Sequence, residues 1–527
     1  MISRRWLFPL LLILAGTAAY WNSFAGAFQL DDYFNILNNP FLRLFLFPEA
    51  PPLYTNRPLA DLTLAMNFML GRFHGFGYHA FNLAVHLAAA ITLFGIIRRT
   101  LQTRKLKSRY AASAADLALV IAGLWLLHPL QTESVTYIIQ RAESLMGLCL
   151  LLSLYCVIRS AETGLSVWQV LAVLCCMLGM TAKPVMVTAP VLIAAYDRIF
   201  LSDSWKEMLH RHAKLYLGLA ASWGVLLQII WTSQSVEHPI SAGFQMRGMT
   251  PWSYLFTQPT VILHYLRLSF WPHPLVFDYL WPIARSWREV LPGWTAVSGL
   301  LAAMGYGLHR RHPEIVFLGI WFFLTLAPTS LIPLADLASE HRMYLPLAAV
   351  IAGAVFGLEV LIRKRALVLI LGTAIIACFG VLTFQRNEAY RNPELLWRSV
   401  VQHRPGNPRA HCNLGGILAQ EDRLDEAQQE YRAALRLKPD YGDAYAGLGM
   451  TLSHQGKLEE ALAAHAEALR LKPRSAGFHD QMGLVLQKKG DRKQALAEYR
   501  QAVHLDSTYL PAWQHLQNLL SQKEGRS

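Results

Sequence analysis

Two adjacent carboxylates, Asp31 and Asp32, stand in "FQLDDYFNILNNP", directly after an apolar stretch of membrane-spanning length. They open a polar loop, or they hold a base at a membrane surface. Their company favours the second reading. "LHPLQTESVTYIIQRAESL" brings His128, Glu133, Arg141 and Glu143, and "GMTAKPVMV" brings Lys183. "LADLASEHRMYLP" brings Asp336, Glu340, His341 and Arg342, and "NRPLADLTLAMNF" brings Arg57. Each segment lies at the same end of the apolar runs. Cations beside lipid suit a phosphate headgroup. A carboxylate beside them suits proton removal from an acceptor hydroxyl. Together they describe transfer from a lipid phosphate to a hydroxyl, with a leaving phosphate that needs charge stabilisation more than a strong acid. The chain has no phosphate-binding glycine loop and no dinucleotide fingerprint, so a soluble nucleotide donor is not supported.

Each residue also has a structural reading. His79, Asn82 and His86 fall on one helical face and suit interhelical hydrogen bonds. Lys183 and Arg141 could extend to the interface. Glu133 or Glu143 could pair with Arg141, and His128-Pro129 could end a helix.

The elements that must position these groups are membrane helices. Of 527 residues, 54% are hydrophobic and 16% charged, with a mean hydropathy of +0.27. A soluble protein carries roughly 25% charged residues. Eleven apolar segments stand near 6–24, 78–97, 113–130, 137–158, 166–182, 184–199, 213–232, 290–308, 314–332, 343–362 and 366–384. The first begins after Arg4-Arg5 and has no small-x-small cleavage pattern, so it is expected to be a retained span rather than a cleaved signal. Arg98, Arg99, Arg104, Lys105, Lys107 and Arg109, then Lys206, Arg211 and Lys214, then Arg310-Arg311, then Arg363-Lys364-Arg365 all fall on one side if the N-terminus is cytoplasmic. That count puts Asp31, Asp32 and everything after residue 385 on the other side. The stretch 254–275 then begins and ends outside and is expected to be interfacial or re-entrant. Topology accounts for the net charge of +13, and no basic-aromatic pattern calls for nucleic acid. Five of the six cysteines lie in apolar runs without metal-ligand spacing, and no disulfide framework is expected.

After Phe384 the composition changes and a 34-residue period begins. Pro405, Pro439 and Pro473 keep it, as do Gly415, Gly449 and Gly483, and Ala427, Ala461 and Ala495. This is the tetratricopeptide pattern, three units with a lead-in helix at 392–404 and a capping helix at 509–520. The expected architecture is all-α: a membrane domain over 1–385, a connecting helix over 386–404 and a repeat solenoid over 405–523. Such solenoids present a concave surface to a polypeptide partner.

"YWNSFAGAFQLDDYFNILNNP", "NRPLADLTLAMNFMLGRFHGFGYHAFNLAVH", "LHPLQTESVTYIIQRAESL" and "HRMYLP", followed by the repeats, resemble the TMTC family, the transmembrane and tetratricopeptide-repeat protein O-mannosyltransferases, over nearly the whole chain. The short loops favour a bacterial inner membrane, with the repeats periplasmic. The resemblance implies a GT-C-type membrane glycosyltransferase. It implies a polyprenyl-phosphate sugar donor used with inversion, one of Asp31 and Asp32 as base and the other positioning, and no obligatory metal, although other GT-C enzymes use one. Three departures stand out: Pro184 after Lys183 where an acid is common, His341 before Arg342 where Glu is common, and Gln140 before Arg141 where Gly is common. The cations expected on the donor phosphate are Lys183, Arg342 and Arg141, with Arg57, His128, Glu133, Glu143, Glu340 and His341 as further site candidates. The acceptor is expected to be Ser or Thr on an exported protein. The alternatives are a cell-envelope glycan or lipid acceptor, a catalytically silent anchored scaffold, and a transporter; the last would place ionisable groups at the bilayer midplane rather than at one face.

Overall fold

The computed structural model describes residues 4–37, 39, 42, 56–233 and 249–524. These residues are overwhelmingly helical and contain no β-strand. They form two compact units: Met1–Leu275 with Trp281–Asn392, and Val276–Leu280 with Pro393–Ser527.

The longer helices of the first unit are α1 (Arg4–Ala19), α2 (Pro58–Gly71), α3 (Gly75–Leu101), α4 (Ala114–Leu127), α5 (Arg141–Thr163), α6 (Val167–Met180), α7 (Ala189–Tyr196), α8 (Trp205–Ser233), α9 (Pro251–Phe270), α10 (Trp287–His309), α11 (Pro313–Leu331), α12 (Pro346–Ile362) and α13 (Arg365–Arg391). All eleven apolar segments lie on these helices. Six helical stretches are long and apolar enough to cross a membrane alone, and α4 joins them if it is taken with Pro129–Thr136, to which it is bent by 53°. α1, α6 and α12 are apolar but shorter. The chain is multi-pass. Most of the stretch expected to be interfacial or re-entrant lies on one helix, α9, which is not among the stretches long and apolar enough to span; it is started by Pro251 and by the Thr250 hydroxyl, which accepts the Ser253 N–H at 3.1 Å.

The apolar segments are interrupted at one end by tight helical turns: Pro129–Gln131, Ile138–Gln140, Pro184–Thr188 and Glu340–Met343. Such turns leave main-chain groups that only side chains or a buried fold can satisfy. The candidate polar residues other than Asp31, Asp32 and Arg57 sit in or beside these four breaks.

Behind them the bundle is tightly packed. The indole N–H of Trp125 donates to the Tyr344 carbonyl at 2.7 Å, and His86 bridges the Tyr344 hydroxyl and the Leu126 carbonyl, each at 3.0 Å. A Cβ on Gly147 would stand 2.6 Å from the Tyr344 ring, so α5 reaches this cluster only as glycine. His79 holds the Gly26 carbonyl at 3.1 Å, and Asn82 donates to the Val135 carbonyl at 3.0 Å. The polar face of α3 is therefore interhelical glue.

In the second unit, α14 (Pro393–His403) leads into three helical hairpins: α15 (Pro408–Gln420) with α16 (Leu424–Leu437), α17 (Gly442–His454) with α18 (Leu458–Leu471), and α19 (Ala476–Lys489) with α20 (Arg492–Leu505). The last helix is α21 (Leu510–Glu524). The expected connecting segment thus divides at Asn392: its first residues complete α13 and the rest is α14. The periodic alanines are fully buried where paired helices cross. Gly415, Gly449 and Gly483 face Tyr431, His465 and Tyr499, and a Cβ on Gly483 would stand 2.6 Å from the Tyr499 ring. His465 takes a tyrosine's place and is fully buried with neither ring nitrogen hydrogen-bonded among the described residues. The segment Val276–Leu280 belongs to this unit through Asp278, whose carboxylate takes Nε and Nη2 of Arg409 at 2.5 and 2.6 Å.

Candidate active site

The first loop is folded back on the end of α13. The Ala27 N–H and the Gln29 side chain both donate to the Tyr390 carbonyl, at 3.1 and 3.2 Å. Leu30 then takes φ 33°, a left-handed conformation that costs a branched residue free energy. That turn leads into the two aspartates. Asp31 is exposed, and its main-chain N–H donates to the Tyr137 hydroxyl at 2.9 Å. Asp32 is fully buried: Oδ2 accepts the Gln29 N–H and Oδ1 the Ile139 N–H, both at 2.9 Å. Burial pushes the Asp32 carboxyl up to about 8 against the pull of those two N–H donors. Asp32 is a strut. Asp31 faces out.

Tyr137 joins this loop to a cluster of charges, since it feels Asp31, Asp32 and Glu133 together. Glu133 holds His341 twice, taking Nδ1 at 2.8 Å and the main-chain N–H at 2.9 Å. Lys183 donates to Glu143 Oε2 at 2.5 Å, and both side chains are nearly buried. Arg57, half-buried at the start of α2, acts electrostatically on both Lys183 and His341, as does Arg342. Burial, with Lys183, Arg342 and Arg57 around it, holds the His341 imidazole well below its usual value and so neutral. Burial likewise lowers Lys183, with Glu143 opposing. Glu340 is fully buried, with Arg386 Nη2 at 3.9 Å from its carboxylate.

Three candidates are committed elsewhere. Arg141 is fully buried; Nη1 donates to Asn67 Oδ1 at 2.7 Å and Nη2 to the Tyr78 carbonyl at 3.1 Å, with the guanidinium over the Phe81 ring. It ties α5 to α2 and α3 and pairs with neither Glu133 nor Glu143 through a hydrogen bond. Arg342 donates to the carbonyls of Leu337, at 2.8 Å, and Asp336, lacing its own loop while its charge stays near Lys183. His128 accepts the Leu130 N–H and donates to the Ser269 carbonyl, so it caps the break after α4. No group of three or more metal-ligating side chains converges among the described residues.

The solenoid matches family models described as tetratricopeptide repeat over 407–474 and 476–509. Across both units, the chain is 25% identical over 503 residues to the Homo sapiens Protein O-mannosyl-transferase TMTC1, covering 81% of this chain and 54% of the relative. Over most of its length the chain is similar to the TMTC proteins. Homo sapiens Protein O-mannosyl-transferase TMTC4 is 25% identical over 428 residues, covering 71% of this chain and 57% of its own length. Mus musculus TMTC2 is 25% identical over 527 residues, covering 80% and 61%. The chain spans little more than half the length of the curated relatives it matches. A solved structure, "Crystal structure of MamA", aligns over 25% of this chain and 77% of its own at 19% identity and a TM-score of 0.23, which carries no argument.

Two residues of this site escaped sequence reasoning. Arg386 lies two positions beyond the last apolar run, and only the continuation of α13 past Phe384 brings it beside Glu340. Tyr137 sits inside an apolar run, where nothing marks its hydroxyl as the anchor of Asp31.

Proposed function

We propose that the membrane unit transfers a sugar from a polyprenyl-phosphate carrier to a hydroxyl of an exported protein on the non-cytoplasmic face. The observation that carries this reading is the division of labour between an exposed Asp31 and a buried, doubly anchored Asp32 beside a cluster of cations. The acceptor hydroxyl gives its proton to Asp31. Its oxygen attacks the anomeric carbon, and the bond from that carbon to the phosphate oxygen breaks with inversion. The lipid phosphate leaves with the electron pair and is stabilised by Lys183, Arg57 and Arg342. No metal enters this step, in keeping with the family resemblance. The relatives' names make mannose the first sugar to test. Positive charge in alternate loops supports a cytoplasmic N-terminus and repeats on the far side, and the short loops favour a bacterial inner membrane. The repeats recruit the acceptor polypeptide.

The test is sugar release from a polyprenyl-phosphate-mannose pool by the purified chain. Asp31→Asn is expected to cut turnover by about two orders of magnitude, the scale of a lost general base. Turnover unchanged in Asp31→Asn would move the base elsewhere. No turnover of any polyprenyl-phosphate sugar by the wild type would favour an anchored scaffold.

A further inference from the structure

Along α9, Tyr254, Gln258, Val261, Tyr265 and Leu268 recur at helical spacing and share one face. All five are buried. Contacts on the other faces fix the rotation of the helix. Thr257 Oγ1 accepts the Ala284 N–H at 3.0 Å, and Thr260 Oγ1 accepts the Trp281 indole N–H at 2.9 Å. Gly293 of α10 comes so close to Pro259 that a Cβ there would stand 2.3 Å from the Pro259 carbonyl.

The buried face is turned to the loop that carries Arg342. The Tyr265 hydroxyl donates to the Ser339 carbonyl and accepts the Ser339 N–H, each at 2.9 Å. The Tyr254 hydroxyl donates to the Thr329 carbonyl near the end of α11. These two tyrosines are separated by about 16 Å along the helix, yet the Arg342 guanidinium acts on both. Arg342 therefore lies over the stretch between them, and the polar residue of that stretch on this face is Gln258.

The Gln258 side chain is buried, and its Nε2 makes no hydrogen bond among the described residues. A buried amide N–H without an acceptor is costly, and a leucine would fill the same space without that cost. Gln258 and Arg342 both approach the Tyr254 hydroxyl, so an amide donor and a guanidinium converge on one point. The Leu337 and Asp336 carbonyls take two of the five N–H groups of Arg342. A neutral donor beside a cation suits the oxygen of an anion. The same guanidinium acts on Lys183 and His341, so this point borders the charge cluster around them.

We propose that Gln258 is a further donor to the phosphate of the polyprenyl carrier, giving an Nε2–H to a phosphate oxygen that Arg342 also meets. The inference rests on the transfer reaction proposed above and adds α9 as a wall of its donor site.

The experiment measures two quantities on the same purified full chain: equilibrium binding of polyprenyl phosphate without sugar, and turnover of polyprenyl-phosphate-mannose. Gln258→Leu, similar in volume, should weaken polyprenyl-phosphate binding about tenfold, the scale of one hydrogen bond to a charged group. Gln258→Glu sets a carboxylate against the phosphate and should weaken it further. Without ligand, Gln258→Leu should melt at or above the wild type, because it loses a buried N–H that has no acceptor. Unchanged binding in Gln258→Leu, or a fall in its unliganded melting temperature, would overturn the inference, while wild-type turnover would keep the transfer reaction standing. A wild type that neither binds polyprenyl phosphate nor turns over the mannose donor would overturn both.

Discussion

Asp32 and Ile139 stand 107 positions apart in the chain, and a carboxylate oxygen of the first accepts the main-chain N–H of the second at 2.9 Å. The other oxygen takes the N–H of Gln29. The loop that presents Asp31 is therefore closed by its neighbour. Asp32→Ala leaves two buried N–H groups without an acceptor, at about 1–3 kcal/mol each. Its melting temperature is expected to fall, and the Gln29 and Ile139 amides to exchange faster with deuterium. Asp31→Ala should leave the Gln29 and Ile139 amides as protected as in the wild type, because Asp32 holds both.

Lys183 and Glu143 form a buried pair, and removing one partner strands the other charge. Lys183→Met should cost about 3 kcal/mol of stability and also weaken donor binding. The double variant Lys183→Met with Glu143→Met removes both charges. It should regain most of the stability while its KM for the lipid donor stays raised. Recovery of both together would mean that Lys183 serves the fold alone.

Glu133 fixes His341 by two contacts, one to the ring and one to the main-chain N–H. Glu133→Gln retains an oxygen that can accept only one of the two N–H groups, and Glu133→Ala retains neither. Turnover is expected to fall in that order, with the alanine variant down by tenfold or more in kcat/KM, about 1.4 kcal/mol. Equal losses in the two variants would show that the charge of Glu133, and not its grip on His341, is what counts.

His465 gives the repeats a pH dependence of known sign. Burial lowers its imidazole to about 4, from the ordinary 6.5. Between those values the unfolded chain binds the proton that the folded chain refuses. The stability is present above pH 6.5 and is lost as the pH falls toward 4, on the order of 1 kcal/mol per pH unit. His465→Phe removes this slope and also removes two buried nitrogens without partners. The melting temperature of the repeats should rise at pH 7, and rise further relative to wild type at pH 5. A variant that melts lower at both pH values would mean that the imidazole is satisfied after all.

The architecture was legible in the sequence because its signals are local. Apolar runs of membrane length and a 34-residue period of alanine, glycine and proline each report on one helix or one hairpin at a time. Those regularities located most of the helices, together with the lead-in and capping helices of the solenoid, but not α2 or α9, which lie outside the apolar runs. The clustering of polar residues at the breaks between runs was legible for the same reason. Roles within that cluster were not. Asp31 and Asp32 are identical in type and adjacent in sequence, and only the left-handed turn at Leu30 and the distant N–H of Ile139 make one a surface group and the other a strut. Arg141, expected on a phosphate, is buried by Asn67 and Tyr78, which approach it from 74 and 63 positions away. Lys183 could have reached for the interface but found Glu143. Which partner a charge meets is decided by which helices touch, and that is a property of the packed bundle that no local pattern encodes.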